Sequence, residues 1–378
     1  MKISKKAVLP AGFKASGISC GIKKSGKPDL ALFFSEIPAK AACVFTTNSI
    51  LAAPVVLSKS YLKVSGSFQA IIANSGNANC FTASQGLKDA QETSLFLGKA
   101  LGLKKEGVLV ASTGIIGKKL QTAKIRAGMP KLVKELSPSG IHAAKKAILT
   151  TDTFTKEASV NLKIGSKRVT ICGVAKGAGM IAPDMATLLV FIFTDAFITR
   201  GALNRALRAA VKGSFNSITV DGCMSTNDSV MLLANGASGS VLIQGGKRLD
   251  LFIQGLSALC LDLAKMIVKD GEGASKFIRI KVSSARNYGE AKVVALNIAN
   301  SNLFKTAVYG QNPNFGRIAA AAGASGVGVK EKDFKVKVSS LKKKDINVEV
   351  ALNQGQASAI VYTSDLTPEY IKINAEYN

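Results

Sequence analysis

Short apolar runs closed by small polar residues recur through the first half of this chain. Ala31-Leu32-Phe33-Phe34, Gln69-Ala70-Ile71-Ile72-Ala73 and Gly107-Val108-Leu109-Val110-Ala111 are followed by Ser35, Asn74 and Ser112. That pattern predicts strands ending in turns. Between them, residues 87–101 and 140–149 carry the spacing of helices, and the unbroken block Leu188 to Phe193 reads as a strand buried on both faces. Thr199 is placed to cap a helix whose apolar face is Leu203, Ala206, Leu207, Ala210 and Val211. Strand and helix signals alternate through 218–233 and 256–268, and strands are expected to dominate from Ile278 onward. No low-complexity linker interrupts the sequence, so a continuous α/β protein with one shared core is expected.

With 378 residues, 47% of them hydrophobic and 20% charged, the chain can build a large core and is not of the disordered class. The longest apolar runs fall far short of a bilayer span, and Met1-Lys2-Ile3-Ser4-Lys5-Lys6 has no signal core, so a soluble cytoplasmic protein is expected, with no membrane partner. Cys20, Cys43, Cys80, Cys172, Cys223 and Cys260 show no Cys-x-x-Cys spacing and read as reduced, mostly buried thiols. The net charge of +26 raises the alternative of a basic nucleic-acid-binding protein. Against it, the lysines fall in scattered pairs and triplets such as Lys118-Lys119 and Lys342-Lys343-Lys344, and tryptophan is absent, which leaves few stacking platforms. No nucleic-acid partner is expected.

His142 is the single histidine, near the start of a predicted helix, where a capping or surface role fits. A Ser-His-Asp enzyme or a histidine metal site would rest on it alone, so any chemistry needs another base, and neither metal nor cofactor is expected. One other source of a base is visible. Lys176-Gly177-Ala178-Gly179-Met180-Ile181-Ala182-Pro183-Asp184-Met185-Ala186-Thr187 runs straight into the strand block. Glycines allow close backbone approach and the strand would hold Thr187 rigidly. If the chain cuts itself between Ala186 and Thr187, the new amine can serve as base for the Thr187 hydroxyl. A buried strand that merely starts with Thr is the plainer reading.

Three further segments carry polar chemistry. Ser112-Thr113-Gly114 after the strand at 107–111 offers a hydroxyl beside a glycine N–H, a pair able to receive an oxyanion, or else an ordinary strand-to-helix turn. Asn74 to Asn79 and Val220 to Asp228 are dense in side chains that bond their own backbone, as turn clusters do. Lys269-Asp270-Gly271-Glu272-Gly273 sets a carboxylate between glycines, where it can hold an ammonium or simply face water.

Together with Ala42 to Asn48, Thr150-Thr151-Asp152-Thr153, Ser214 to Asn216, Tyr309 to Arg317 and Lys372 to Tyr377, these segments occur in the order found in one known family. Across nearly its whole length the chain resembles the ornithine acetyltransferases, also called glutamate N-acetyltransferases, of arginine biosynthesis. The resemblance implies a layered α/β/β/α sandwich and self-cleavage before Thr187. The products would be an α chain, 1–186, and a β chain, 187–378, assembled as a heterotetramer of two α and two β chains. It implies Thr113 and Gly114 as the oxyanion pair and Thr150, Lys176, Thr187, Glu272 and Asn374 as substrate-binding residues, with Thr151 adjacent to Thr150 as the rival at that position.

The implied reaction moves acetyl from N2-acetylornithine to Thr187 and then to glutamate; whether acetyl-CoA also serves as donor stays open. An N-terminal-nucleophile aminopeptidase or amidase, passing the acyl group to water, is the near alternative. Three departures stand out. Asp184 replaces an Asn common before Met-Ala-Thr, Ala182 occupies a position that is His in some members, and the chain stops at Asn378 where the family often adds a substrate-touching Thr. The first two are expected to slow maturation, and the third to leave that contact missing or supplied by the terminus.

Overall fold

The computed structural model describes residues 2–182 and 188–376. Thr187, Ala186 and Asp184 therefore lie outside the described residues. The chain divides into two compact units. The first comprises residues 1–177, 184–215 and 224–263, the second 178–183, 216–223 and 264–378.

In the first unit nine strands form one sheet among the described residues. They are β1 (Lys2–Ser4), β2 (Phe13–Ile18), β3 (Leu30–Phe45), β4 (Phe68–Asn77), β5 (Val108–Ile115), β6 (Lys156–Ile164), β7 (Lys167–Lys176), β8 (Leu189–Thr194) and β9 (Ser229–Ala234). The order is β1-β6-β7-β8-β9-β3-β4-β5, with β2 also on β3. The long strand β3 makes this possible by changing partners. Its first part pairs with β2 and β4, and its last six residues pair with β9. The ladder to β4 slips between Phe34 and Ala39, across Glu36-Ile37-Pro38, where proline has no N–H to give.

The apolar block after Thr187 becomes β8, buried at all six positions between antiparallel β7 and parallel β9. A strand paired on both edges and packed on both faces is about as fixed as backbone can be. Phe191 and Phe193 pack against Phe33 with tilted rings, 4.9 and 5.1 Å between centroids. These contacts join residues from either side of the 186–187 bond in one core, as the sequence suggested.

The second unit holds β10 (Phe277–Ala285), β11 (Lys335–Val338), β12 (Asp345–Ala351) and β13 (Ala357–Ser364), in the order β11-β12-β10-β13. The expectation that strands dominate beyond Ile278 is corrected here. Helices Tyr288–Asn300, Asn302–Tyr309 and Gly316–Gly323 intervene, and Pro368–Glu376 follows the last strand. The first of them buries Ala291, Val294, Ala295, Ile298 and Ala299 against the sheet core, a helical spacing that alanines make faint. Asn287 and Ser301 cap the first two by accepting from Glu290 N and Phe304 N.

Helix Gly246–Lys269 corrects a second expectation, since by length and composition it is apolar enough to cross a membrane. Half of its most apolar window is buried within the fold, through side chains such as Phe252, Leu256 and Leu259. Charges at Asp250, Asp262 and Lys265 break its apolar runs, which is why run length alone passed it over. The α/β class holds: both sheets are mixed and are flanked by helices.

Candidate active site

Thr113 and Gly114 do not follow a strand, as their sequence setting suggested; they lie inside β5, paired with the end of β4. The pairing is irregular there. Its register slips at Gly76 and Asn77, and both glycines have positive φ, 130° at Gly114 and 95° at Gly76. A Cβ on Gly114 would stand 2.4 Å from the Gly76 carbonyl carbon, so only glycine permits this approach. Thr113 is buried beside it. The outer side of Gly76 carries the stem of Lys23, whose Cγ lies 2.9 Å from where a Cβ would be.

Lys23 ties this irregular pair to a second group of residues. Its ammonium donates to Pro28 O at 2.8 Å and to Leu149 O at 2.7 Å, next to Thr150. Asp29, fully buried, fixes the Lys23 loop by accepting from Cys20 N and Lys23 N. Burial brings the Lys23 ammonium down to about 8, aided by the nearby Lys176 charge and opposed by Asp29 and Asp152. Beyond Leu149, Thr150 N donates to Asp152 Oδ2 at 3.0 Å, and Gly177 N to Asp152 Oδ1 at 2.7 Å. Lys156 Nζ donates to the same Oδ1 at 2.6 Å, with both side chains withdrawn from solvent. Burial alone would raise the Asp152 carboxyl, but the Lys176 and Lys156 ammoniums outweigh it and hold the group well below the carboxylate range. Thus Thr150 and Lys176, far apart in sequence, share one carboxylate.

A dipeptide just before β9 joins the start of β8 to β5. Asn227 Nδ2 donates to Ser112 O at 2.8 Å and to Ala78 O at 2.6 Å. The neighbouring Asp228 accepts the N–H of Leu188 on Oδ1 at 2.8 Å. Both residues are buried, Asp228 completely. The residue that follows Thr187 is therefore pinned through Asn227-Asp228 to the residue that precedes Thr113.

In the second unit Glu272 occupies the turn after helix Gly246–Lys269. Its backbone N–H donates to Ala178 O, and its carboxylate lies so close over Gly179 that a Cβ there would meet Oε2 at 2.1 Å. The lack of a side chain at Gly179 is what leaves room for it. Asn374, on the last helix, donates from Nδ2 to Glu272 Oε2 at 2.9 Å. Glu272 is half-buried and Asn374 exposed, in a setting where a helix C-terminus adds negative potential. Nearby, Asp221 holds Met180-Ile181 by accepting from Met180 N at 2.6 Å and Ile181 N at 2.9 Å, and it accepts the Tyr370 hydroxyl at 3.2 Å.

The profile of the ArgJ family matches residues 14–378. The chain belongs to the ArgJ family. The arginine biosynthesis bifunctional protein ArgJ of Geobacter sulfurreducens is 44% identical over 388 residues, covering 97% of this chain and 98% of that protein. Its namesake from Symbiobacterium thermophilum is 42% identical over 391 residues, covering 97% of each. Among solved structures, the ornithine acetyltransferase of Mycobacterium tuberculosis complexed with ornithine is 36% identical, covers 50% of this chain and 99% of that chain, and gives a TM-score of 0.45. Membership in the ArgJ family makes this chain an enzyme of arginine biosynthesis.

Within this ArgJ member the first unit sets Thr113 and Gly114 in the irregular β4–β5 pair against which Lys23 packs, and gathers the Thr150 amide and the Lys176 charge around Asp152; the second unit pairs Glu272 with Asn374. The Thr150 amide donates to Asp152. His142 is exposed on helix Ile141–Ala147, as expected of a surface residue. Among the described cysteines only Cys223 is exposed; burial pushes the Cys43 and Cys172 thiols up to about 12. Lys23 and Asp152 carry no individual signal in the sequence, and Asn227 and Asp228 read there only as part of a turn cluster. The signal available for the last two was their place immediately before an unbroken apolar strand, where a carboxylate has no water to face.

Proposed function

We propose that this protein moves the acetyl group of N2-acetylornithine to glutamate through an acetyl ester on Thr187, after cutting itself between Ala186 and Thr187. The observation that supports this reading is the Asn227-Asp228 clamp, which ties Leu188, just before β8, to Ser112 on the strand that also carries Thr113 and Gly114. In maturation the Thr187 hydroxyl attacks the Ala186 carbonyl, the carbon–nitrogen bond gives way to an ester, and water releases the α chain, 1–186, from the β chain, 187–378. The freed α-amine, with an ordinary pKa of about 8, then serves as base for its own hydroxyl. No histidine is required, in keeping with the exposed position of His142.

In the first half-reaction Thr187 takes the acetyl group and releases ornithine, with Thr113 and Gly114 donating to the tetrahedral oxyanion; such a donor lowers the barrier by about 3 kcal/mol. In the second, the glutamate amine takes the acetyl group and restores Thr187, which gives ping-pong kinetics. Thr150 and Lys176 are assigned to substrate, the Lys176 ammonium suiting a carboxylate. Glu272, steadied by Asn374, suits an ammonium. We place the enzyme in the cytoplasm as a heterotetramer of two α and two β chains. Relatives are named bifunctional proteins of arginine biosynthesis, and for this chain acetyl-CoA is kept as a possible second donor.

Incubation of purified protein with N2-acetylornithine and labelled glutamate tests the reading. Labelled acetylglutamate is expected. Acetate without acetylglutamate would instead mark an amidase, with water as acceptor.

A further inference from the structure

The Glu272 side chain is bounded on two sides, and both sides belong to the second unit. On one, Glu272 N donates to Ala178 O at 3.0 Å and the carboxylate lies over Gly179. On the other stands the last helix, Pro368–Glu376, from which Asn374 Nδ2 donates to Glu272 Oε2 and, at 3.0 Å, to Tyr370 O one turn back. Glu272 is steadied only as well as these two sides are held together.

One carboxylate joins them. Asp221 accepts from Ile181 N and Cys223 N on Oδ1, and from Met180 N and the Tyr370 hydroxyl on Oδ2. Its bonds therefore tie the two residues that follow Gly179 to the residue one helical turn before Asn374. Burial, and after it the Asp221 charge, push the Tyr370 phenol above its ordinary value, so the hydroxyl keeps its proton and donates. The base of the helix has a separate attachment. Gly273 has a φ of 67°, a Cβ on it would stand 2.4 Å from Tyr370 N, and Thr367 Oγ1 donates to Gly273 O at 2.7 Å. That attachment does not use the phenol, so the hydroxyl can be removed with the helix still docked.

We propose that Tyr370 is a positioning residue for the ammonium-binding carboxylate: its hydroxyl closes a ring from Glu272 through Ala178–Ile181, Asp221, Tyr370 and Asn374, and so fixes the rotamer in which Glu272 meets substrate. The inference rests on the assignment of Glu272 to an ammonium made above. In N2-acetylornithine the α-nitrogen is an amide, which leaves the δ-ammonium as the group for Glu272 to meet. Tyr370 acts through Asn374 and Glu272, not on substrate.

Tyr370→Phe keeps the ring and removes the bond to Asp221. Full-length wild type and variant are assayed with glutamate and either of two donors, N2-acetylornithine or N2-acetylnorvaline, which is the same molecule without the δ-amine, and both proteins are melted. The variant is expected to melt within a few degrees of wild type. Its KM for N2-acetylornithine should rise about 5-fold or more with kcat within about 2-fold, while N2-acetylnorvaline is used as in wild type. An unchanged KM, a variant that melts far below wild type, or an equal fall for both donors overturns the proposal, since general loosening of the fold does not distinguish an ammonium. If neither protein turns over N2-acetylnorvaline, the split for N2-acetylornithine decides: a rise in KM supports the proposal, and a loss in kcat with KM kept overturns it. A wild-type protein that makes no acetylglutamate from N2-acetylornithine overturns the proposed function, and this inference with it.

Discussion

Two parts of this molecule handle charge in opposite ways. In the first unit Lys156, Lys176 and Asp152 are buried at strand ends, where each charge is offset by another and by backbone N–H groups. In the second unit Glu272 and Asn374 sit on a turn and on the last helix, half-buried and exposed, held by a single mutual hydrogen bond and a glycine that makes room. A buried, mutually dependent set cannot lose a member without harming the fold. An exposed pair can lose one and harm only what it binds. The first region is thus expected to couple stability with turnover, and the second to keep them separate.

The strongest way to break this contrast is Gly114→Ala. The added methyl would meet the Gly76 backbone at 2.4 Å in a conformation that L side chains avoid. Both a lower melting temperature and at least ~100-fold loss of acetyl transfer are expected. Activity near the wild-type level would show that the irregular β4–β5 pair is not the oxyanion site.

Asp152→Asn comes next. Removing one partner of a buried ion pair costs about 3–5 kcal/mol, which should appear in denaturant unfolding at neutral pH. The wild type gives the same information through acid. The folded Asp152 value lies below the ordinary carboxylate value of about 4, so its stabilisation is complete above that value and is lost as pH falls through the folded one. Acid unfolding of wild type should accordingly be steeper than that of Asp152→Asn.

Glu272→Gln should leave melting within a few degrees of wild type and raise KM about 10-fold or more, the worth of a charge-assisted hydrogen bond to an ammonium. A loss of stability equal to that of Asp152→Asn would erase the contrast between the two regions. The smallest effect is expected at Lys23→Met. It deletes two hydrogen bonds to carbonyls, worth about 1–3 kcal/mol together, and loosens the approach to Thr150 with a modest fall in kcat.

What the sequence makes legible follows the same division. The β-branched and aromatic blocks at 69–73, 107–111 and 188–193 announce their strands because burial on both faces leaves no polar interruption. Helix Tyr288–Asn300 is faint because its buried face is largely alanine. Thr113-Gly114 reads as a turn, since two positive-φ glycines meeting across a ladder leave no trace in either segment alone. Asp152 and Asp228 are hidden for a related reason. A carboxylate among Ser, Thr and Asn looks solvated, and only the strands that close over it bury it. Glu272 and Asn374 came from family resemblance, not spacing, and the structure supplies the contact between them.

The central claim is that Thr187 becomes a chain terminus. Denaturing mass measurement of a preparation already shown to make acetylglutamate tests it most directly. Two fragments are expected, one ending at Ala186 and the other beginning at Thr187. A single full-length species in that active preparation would contradict the account.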